Sequence, residues 1–544
     1  MTNDDQIILS ADAMREADRR TIEEFGVPSF ALMETAARGV ADEIERRLGD
    51  LDGCKVLVLA GKGNNGGDGL ALARLLLDRG ARVFVVVHVG VSTCSAETEL
   101  NMKLLRRLAP VVGPRLVICE LRGKDLAVDA LEPWGSFDLA VDAMLGIGAQ
   151  GALREPLAFM TTLAKRARLV CAIDVPSGVD ADTGLEASGG SVAADFTVTM
   201  AATKPCHWFG AQPSRSGEVV IADIGIPRHL LEAAVEMPGS ARVAGPKSIR
   251  SFLGQASNGD HKFAVGQAGV VAGSNRYSGA LVLATTAAAR SGAGYVLCAS
   301  TERAAAALDA RVPEIVAVSF RANASGVLPA GAAGAVLEEF KGCRACLVGP
   351  GLGYGRSEAA SADVTGLLLG LVGGLEQPLV IDADGLNALD SPEAVEALRN
   401  RSGATVMTPH PGEFRRLVAA SGGNGDLKER QRYPIRLAAD WARYFGAVLV
   451  LKGSSTVIAA PDGRVYVAPR RSRALATAGT GDVLAGSIVG LLAQGLDPVA
   501  ASVVAVHLGL EAASIFEQEG RAAAACQASD IVERLPLALG RYRL

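Results

Sequence analysis

The sequence predicts an α/β protein of two domains, each built on a parallel sheet. Three observations carry this. The chain has 544 residues, more than one ordinary core accommodates. Strand-length apolar runs alternate with helical patterns from Lys55 to Ile224, and again from Ala268 onward. Nearly every such strand runs into a Gly-rich or acidic loop, so polar loops gather at the carboxyl rim of each sheet, where ligands of parallel sheets bind. With 49% hydrophobic and 21% charged residues the chain can fill two cores. Aromatics are only 4% against 63 glycines, so close helix–sheet approach must do much of the filling. The net charge is −5 and no basic stripe interleaves with aromatics, which excludes nucleic acid as an expected partner. Apolar runs such as Val83–Val87 are strand-length, so no membrane span is expected. The acidic N-terminus lacks the basic start of a signal peptide, and the nine cysteines, the lone pair Cys343 and Cys346 included, show no framework spacing. A reduced, cytoplasmic protein is expected.

The first half opens with helices over Ser10–Leu48, Ser10 serving as N-cap. A strand at Lys55–Ala60 meets the turn Gly61–Gly69, reading GKGNNGGDG, then a helix through Leu77 and a strand at Arg82–Val87. The turn contains G-x-G-x-x-G at Gly61, Gly63 and Gly66. A dinucleotide fingerprint also needs an acid at the end of the second strand to hold the ribose, and His88 stands there instead. Asn64, Asn65 and Asp68 add amide and carboxylate groups to this turn. Such a set binds phosphate, a cation or both, or else braces the turn through side chain–backbone bonds. Strands at Phe137–Met144 and Leu169–Ile173 put Asp142 and Asp174 at carboxyl ends. Either acid alone is a cap or turn residue; with the Asn-rich turn they form an oxygen-rich cage suited to a hard cation. Strands at Thr197–Met200 and Glu218–Ile224 complete the sheet. The pattern breaks around Pro227–Pro246, which sets domains at 1–227 and 251–544 with a linker at 228–250.

In the second half the strands precede GPGLG (Gly349–Gly353), DADGLN (Asp382–Asn387), TPHPGE (Thr408–Glu413) and KGSST (Lys452–Thr456). The last loop, TAGTGDVLAG (Thr477–Gly486), runs small and flexible residues into one acid, Asp482, and an apolar helix. Backbone N–H groups of such a turn, with the positive end of the helix, cradle an anion. An acid beside that cradle reads either as a helix cap or as a base that activates a hydroxyl for phosphoryl transfer. The helix start is expected to lower the Asp482 pKa. No G-x-x-x-x-G-K-[ST] occurs, so this is no P-loop enzyme; phosphate falls to the Thr480–Gly481 turn, with Lys452 as a point charge or a solvated loop lysine. His410, between two prolines, is rigidly placed and reads equally as a contact or a structural residue. Asp382 and Asp384 fix loops or a water-bridged Mg²⁺.

Taken together, these motifs resemble the bifunctional NAD(P)H-hydrate repair enzymes, in which an NAD(P)HX epimerase domain precedes an ADP/ATP-dependent NAD(P)HX dehydratase domain. The resemblance rests on LMETAARG (Leu32–Gly39), GNNGGDG (Gly63–Gly69), DAMLGIGAQG (Asp142–Gly151), DVPSGVDADTG (Asp174–Gly184) and ADIGIP (Ala222–Pro227). In the second half it rests on GSNRYSGA (Gly273–Ala280), GPGLG, DADGLN, HPGE, KGSST and AGTGDVLAG, and it spans nearly the whole chain. It implies a Rossmann-like three-layer fold followed by a ribokinase-like one. It implies that Asn64, Asn65, Gly66, Gly67 and Asp68 hold the phosphate side of hydrated nucleotide, and that Gly146, Ile147, Gly148, Ala149, Gln150, Gly151, Ala152 and Asp174 bind it further, Asp174 as acid/base. Asn65, Asp142 and Ser177 are implied as ligands of a potassium ion. In the second domain Ala280, Gly353, His410 and Asp482 are implied to line the NAD(P)HX site, with Asp482 as catalytic base. Lys452, Gly453, Ser454, Ser455, Thr456 and Gly481 are implied to hold ADP or ATP with Mg²⁺. A homo-oligomer is expected. The chain departs from the family at Arg470, Arg471 and Arg473, where an Asn/Gly loop is usual, at Gly385, and at Cys206 and His207 after AATKP. The alternative is a ribokinase-like small-molecule kinase with a nucleotide-binding regulatory domain in front.

Overall fold

The structure, a computed structural model, describes residues 5–88, 94–121, 131–149, 151–210, 215–254, 261–423 and 427–542. It divides into two compact units whose bodies are Gln6–Ala241 and Arg242–Leu544.

In the first unit seven strands form one parallel sheet: β1 (Lys55–Ala60), β2 (Arg82–His88), β3 (Leu116–Leu121), β4 (Phe137–Ala143), β5 (Ala167–Ile173), β6 (Phe196–Met200) and β7 (Glu218–Ala222). Their order is β3-β2-β1-β4-β5-β6-β7. The chain therefore reverses its winding between β1 and β4, which opens a crevice at the carboxyl ends of these two strands. The strands are apolar on both faces because both are covered. Val56, Val58 and Ala60 face α1 (Ala11–Glu23), α2 (Ser29–Leu48) and α3 (Asn64–Asp78), while Leu57 and Leu59 face Phe84, Trp134 and Met160 on the other side. That alternation makes three layers.

In the second unit the strands are β8 (Gln267–Val271), β9 (Tyr295–Thr301), β10 (Val316–Phe320), β11 (Ala345–Val348), β12 (Leu379–Ile381), β13 (Thr405–Met407), β14 (Val448–Leu451), β15 (Val457–Ala459) and β16 (Val465–Val467). They run β16-β15-β14-β13-β12-β11-β8-β9-β10, parallel from β14 to β10 and antiparallel from β14 to β16. One face is covered by α4 (Ser278–Arg290), α6 (Thr480–Ala493) and α7 (Pro498–Gln518), with α5 (Pro411–Ala420) following β13. The 21-residue α7 is apolar enough to cross a membrane by length and composition, contrary to the strand-length runs expected, yet 78% of its apolar window is buried inside the unit. It is the central helix of a core.

The residues expected as a linker, 228–250, are structured. Leu230 and Ala234 of the helix Arg228–Ala234 join the first core, and Ile249 of Pro246–Leu253 joins the second. Each helix carries only two buried apolar residues among polar ones, too few for a period to show in sequence.

Helices α4 and α6 approach backbone to backbone at two glycines. A Cβ on Gly486 would stand 2.1 Å from the Ala284 carbonyl oxygen, and one on Gly490 2.4 Å from that of Ala288. Helix propensity alone makes Gly486→Ala stabilising by about 1 kcal/mol. The contact reverses the sign, and a loss of about 2 kcal/mol is expected from forced separation of the two helices. Urea unfolding of the full chain measures it; a gain in stability would contradict the close packing.

Candidate active sites

The loops after β1, β4, β5 and β6 converge on one cavity of about 730 Å³. Helix α3 begins at Asn64, earlier than the turn read from sequence, so Asn64–Asp68 form its first turn. The glycines permit this. A Cβ on Gly66 would lie 2.0 Å from the Gly61 carbonyl oxygen, and one on Gly69 2.4 Å from Ala143 Cβ. Asn65 thereby points sideways beneath the crevice. Its Nδ2 donates to the carbonyls of Leu145 (2.8 Å) and Ile173 (3.2 Å), which fixes the amide's orientation. Its Oδ1 is buried and has no hydrogen-bond partner among the described residues.

Asp142, at the end of β4, is fully buried. Ser177 donates to it twice, from Oγ (2.6 Å) and from its backbone N–H (2.7 Å). Burial raises its pKa to about 6 against those bonds. Leu145 N–H donates to Ser177 Oγ at 2.9 Å, so Asn65, Asp142 and Ser177 share one network. An orphaned amide oxygen and a buried carboxylate in one network are oxygen donors that suit a large monovalent cation, so the residues present fit the implied potassium ion. Among the described residues no group of three or more His, Cys, Asp or Glu could hold a metal ion, so the donor set is amide, hydroxyl and a single carboxylate.

Asp174 follows β5 in a left-handed conformation, φ +67°. Its Oδ1 accepts from Thr199 Oγ1 (3.1 Å), Met200 N–H (3.2 Å) and the Lys204 ammonium. Lys204 is wholly buried, with Nζ also bonded to Thr199 Oγ1 (2.9 Å) and the Met200 carbonyl (3.0 Å). Burial pushes the Asp174 carboxyl up, but the Lys204 charge and hydrogen bond outweigh it and the pKa falls below the ordinary value. Oδ2 takes no hydrogen bond among the described residues and lies toward Gly146, whose Cβ would be 3.9 Å away. Asn64, Asn65, Asp68, Gly146–Ala149 and Asp174 line the cavity. Gly66 and Gly67 are buried and do not line it, Gly151 and Ala152 are exposed and do not line it, and Gln150 lies outside the described residues. Sequence reasoning missed Lys204. Its signal was a lone lysine in the apolar stretch after a buried strand. Cys206 and His207, departures from the family, are not in the cavity wall: Cys206 is buried, and His207 Nδ1 accepts from the Lys204 N–H at 3.0 Å.

In the second unit a cavity of about 530 Å³ is walled at one end by Lys452, Gly453, Ser454, Thr456, Thr480 and Gly481. Leu475, Val483, Val506 and Leu510 add apolar lining to it. Ser455 is not in the wall; its Oγ accepts from Arg471 Nε at 3.1 Å. Arg470, Arg471 and Arg473, the departures from the family, line this cavity. Gly479 enters α6 with φ +90°, and the first-turn N–H groups of Gly481 and Asp482 have no intrahelical acceptor. A cationic, N–H-rich end and an apolar slot suit a nucleotide's phosphates and base.

A cluster of charges meets the cavity at Gly481. A Cβ there would stand 3.3 Å from Lys452 Nζ and 3.8 Å from Asp382 Oδ2. Lys452 Nζ bonds Asp382 Oδ1 at 2.9 Å, and Thr408 Oγ1 donates to the same oxygen at 2.6 Å. Asp384 Oδ2 accepts from the Gly353 N–H at 2.7 Å, and Gly351 approaches Ala280, to which its Cβ would be 2.8 Å. Asp382 and Asp384 thus brace loops. Burial lifts the Asp482 carboxyl to about 7, Asp382 adds to it, and Lys452 opposes. This corrects the lowered pKa expected from the helix start: a terminal dipole acts at surface strength, whereas desolvation among three other acids is the larger effect. His410 caps α5, Nδ1 accepting from the N–H groups of Gly412 (2.9 Å) and Glu413 (3.3 Å), so the proton is on Nε2. Ala280, Gly353, His410 and Asp482 do not line the 530 Å³ cavity; Ala280 and Asp482 lie in the first turns of α4 and α6, and His410 caps α5.

Residues 29–206 match the family model described as YjeF-related protein N-terminus, and residues 268–534 match that of NAD(P)H-hydrate dehydratase, one on each compact unit. A bifunctional NAD(P)H-hydrate repair enzyme of Salinibacter ruber is 41% identical over 534 residues, covering 97% of this chain and 96% of that protein. The chain belongs to the bifunctional NAD(P)H-hydrate repair enzyme family. A second member of that family, from Moorella thermoacetica, is 35% identical over 535 residues, covering 98% of this chain and 96% of its own. Among solved structures, the ADP/ATP-dependent NAD(P)H-hydrate dehydratase from Bacillus subtilis co-crystallized with ATP/Mg²⁺ is 29% identical, covers 55% of this chain and 97% of its own, and has a TM-score of 0.43.

Proposed function

We propose that this chain repairs hydrated NADH and NADPH: the first unit interconverts the R and S forms of NAD(P)HX, and the second dehydrates the S form at the expense of ADP or ATP. The observation that carries the second activity is a carboxyl raised to about 7, Asp482, adjoining the N–H cradle and lysine of a nucleotide-sized cavity. Hydroxide is a poor leaving group from C6 of the reduced ring and phosphate a good one. Asp482 accepts the C6 hydroxyl proton while that oxygen attacks the terminal phosphorus of the nucleotide, whose bond to the bridging oxygen breaks as AMP or ADP leaves with the electron pair. The N–H groups of Gly481 and Asp482 and the Lys452 ammonium meet the charge on the transferring group. The C6–O bond then breaks, phosphate departs with the pair, the ring nitrogen supplies the push, and loss of the C5 proton restores NAD(P)H. Magnesium, held with the nucleotide's phosphates, would supply charge neutralisation there, and Asp382, Asp384 and Asp482 are suited to its water shell. In the first unit Asn65, Asp142 and Ser177 are suited to hold potassium, which supplies the positive charge that this buried carboxylate lacks.

The test is an equimolar mixture of R- and S-NADHX with ADP and Mg²⁺, followed at the NADH absorbance. Complete conversion, at a second phase faster than buffer alone, is expected. Conversion halted at half leaves the first unit without activity, and no conversion, with a stable phosphate ester formed from another hydroxyl substrate, favours the kinase alternative.

A further inference from the structure

Four carboxylates, Asp18, Asp68, Glu155 and Asp174, line the first cavity, and the surroundings of Asp68 and Asp174 differ. Asp174 has one oxygen saturated by a lysine ammonium, a hydroxyl and a backbone N–H, and the other open toward the substrate loop. Asp68 stands one turn into α3. Among the described residues its carboxyl has no hydrogen bond or ion pair; what it meets is burial and the like charges of Asp174 and Asp18, which favour its neutral form. A carboxyl with no cation or donor beside it among the described residues is poorly explained as a phosphate ligand, since its negative charge would repel phosphate. Two carboxyls of opposite environment facing one substrate cavity are instead the arrangement that divides acid from anion.

We propose that Asp68 donates and recovers the proton that moves in R/S interconversion, with Asp174, anchored by Lys204, as the fixed counter-charge. This rests on reading the first unit as the epimerase. The Asp68 carboxyl gives its proton to the C6 hydroxyl oxygen. The C6–O bond breaks and its pair leaves with the oxygen as water, while the N1 lone pair forms N1=C6. The ring cation faces the Asp174 carboxylate. Water adds back to planar C6, the π pair returns to N1, and the surplus proton returns to Asp68. Addition to the opposite face yields the other epimer. No oxidant or reductant is consumed, and no net proton.

The experiment uses the full chain with purified R-NADPHX and no ADP, which silences the second unit; R and S are separated by chromatography. Asp68→Asn is expected to lower kcat at least 100-fold with KM within threefold, while S-form dehydration on adding ADP keeps its wild-type rate. A variant with kcat retained, or with kcat retained and KM raised tenfold, overturns the proposal, the second result making Asp68 a binding residue. As a measurement independent of variant folding, wild-type kcat in D₂O is expected to fall at least twofold, and an unchanged kcat overturns the proposal as well. Wild-type protein that fails to interconvert R and S refutes the epimerase reading itself, a distinct result.

Discussion

Replacing Asp482 by Asn is expected to reduce kcat for S-NADHX dehydration about 10³-fold, the contribution of a positioned general base, with KM for both substrates within threefold. The carboxyl must be ionised to accept the hydroxyl proton. With its pKa raised to about 7, wild-type kcat should climb tenfold per pH unit below that value and level off above it. In Asp482→Asn the climb disappears. Glu413 is also raised to about 7 by burial, but its carboxylate is engaged by the His410 N–H at 2.8 Å and by Nε2 at 3.3 Å, so Glu413→Gln should keep the inflection. The stability sign separates chemistry from folding. A carboxyl whose folded pKa lies above its unfolded value destabilises the fold as pH rises between the two. At pH 8 the Asn variant should therefore melt at or above the wild-type temperature. Stopped single-turnover assays and thermal melts check both; near-normal turnover in the variant would remove Asp482 from the chemistry.

Lys204→Met is the second large effect. Lys204 and Asp174 form a buried pair, the lysine wholly enclosed, and removing one partner leaves an uncompensated charge. A loss of about 3 kcal/mol in the first unit is expected. Asp174 has its folded pKa depressed, so the stability it contributes is present above the unfolded value and disappears as pH falls through the folded one. Wild type and variant should thus differ most at neutral pH and begin to converge only below about pH 4, the ordinary carboxylate range, as the depressed folded pKa is approached. R/S interconversion should fall with it at pH 7, because the Asp174 carboxyl loses the charge that keeps it ionised and the bond that aims Oδ2 into the cavity. Denaturant melts stepped from neutral pH down through the acid range below the ordinary carboxylate value measure the first, and chromatography of the epimers the second. A pH-independent difference would show that Lys204 acts through packing alone.

Much of the second unit's site was readable because its parts follow strands directly: Asp382, Thr408 and Lys452 each stand one residue past a strand's end, where parallel topology leaves no choice but the shared rim. His410 was not readable. Two prolines announced rigid placement, but only the cap geometry showed that its Nδ1 is spent on the N–H groups of α5. The Asp482 pKa was misjudged for a related reason: a helix start is visible locally, whereas the acids crowding it come from loops 70 to 100 residues upstream.

The chain's own pattern determined two α/β units, the strand-end loops and the acids they carry, because βαβ periodicity and glycine spacing are local properties of a sequence. Only the tertiary structure decided which acid is paired with a cation and which is not. Asp68, Asp142 and Asp174 look alike in sequence; a buried lysine 30 residues beyond Asp174, and the absence of any such partner for Asp68 among the described residues, set them apart. Desolvation and pairing depend on distances through space, and those exist only once the strands have been laid side by side.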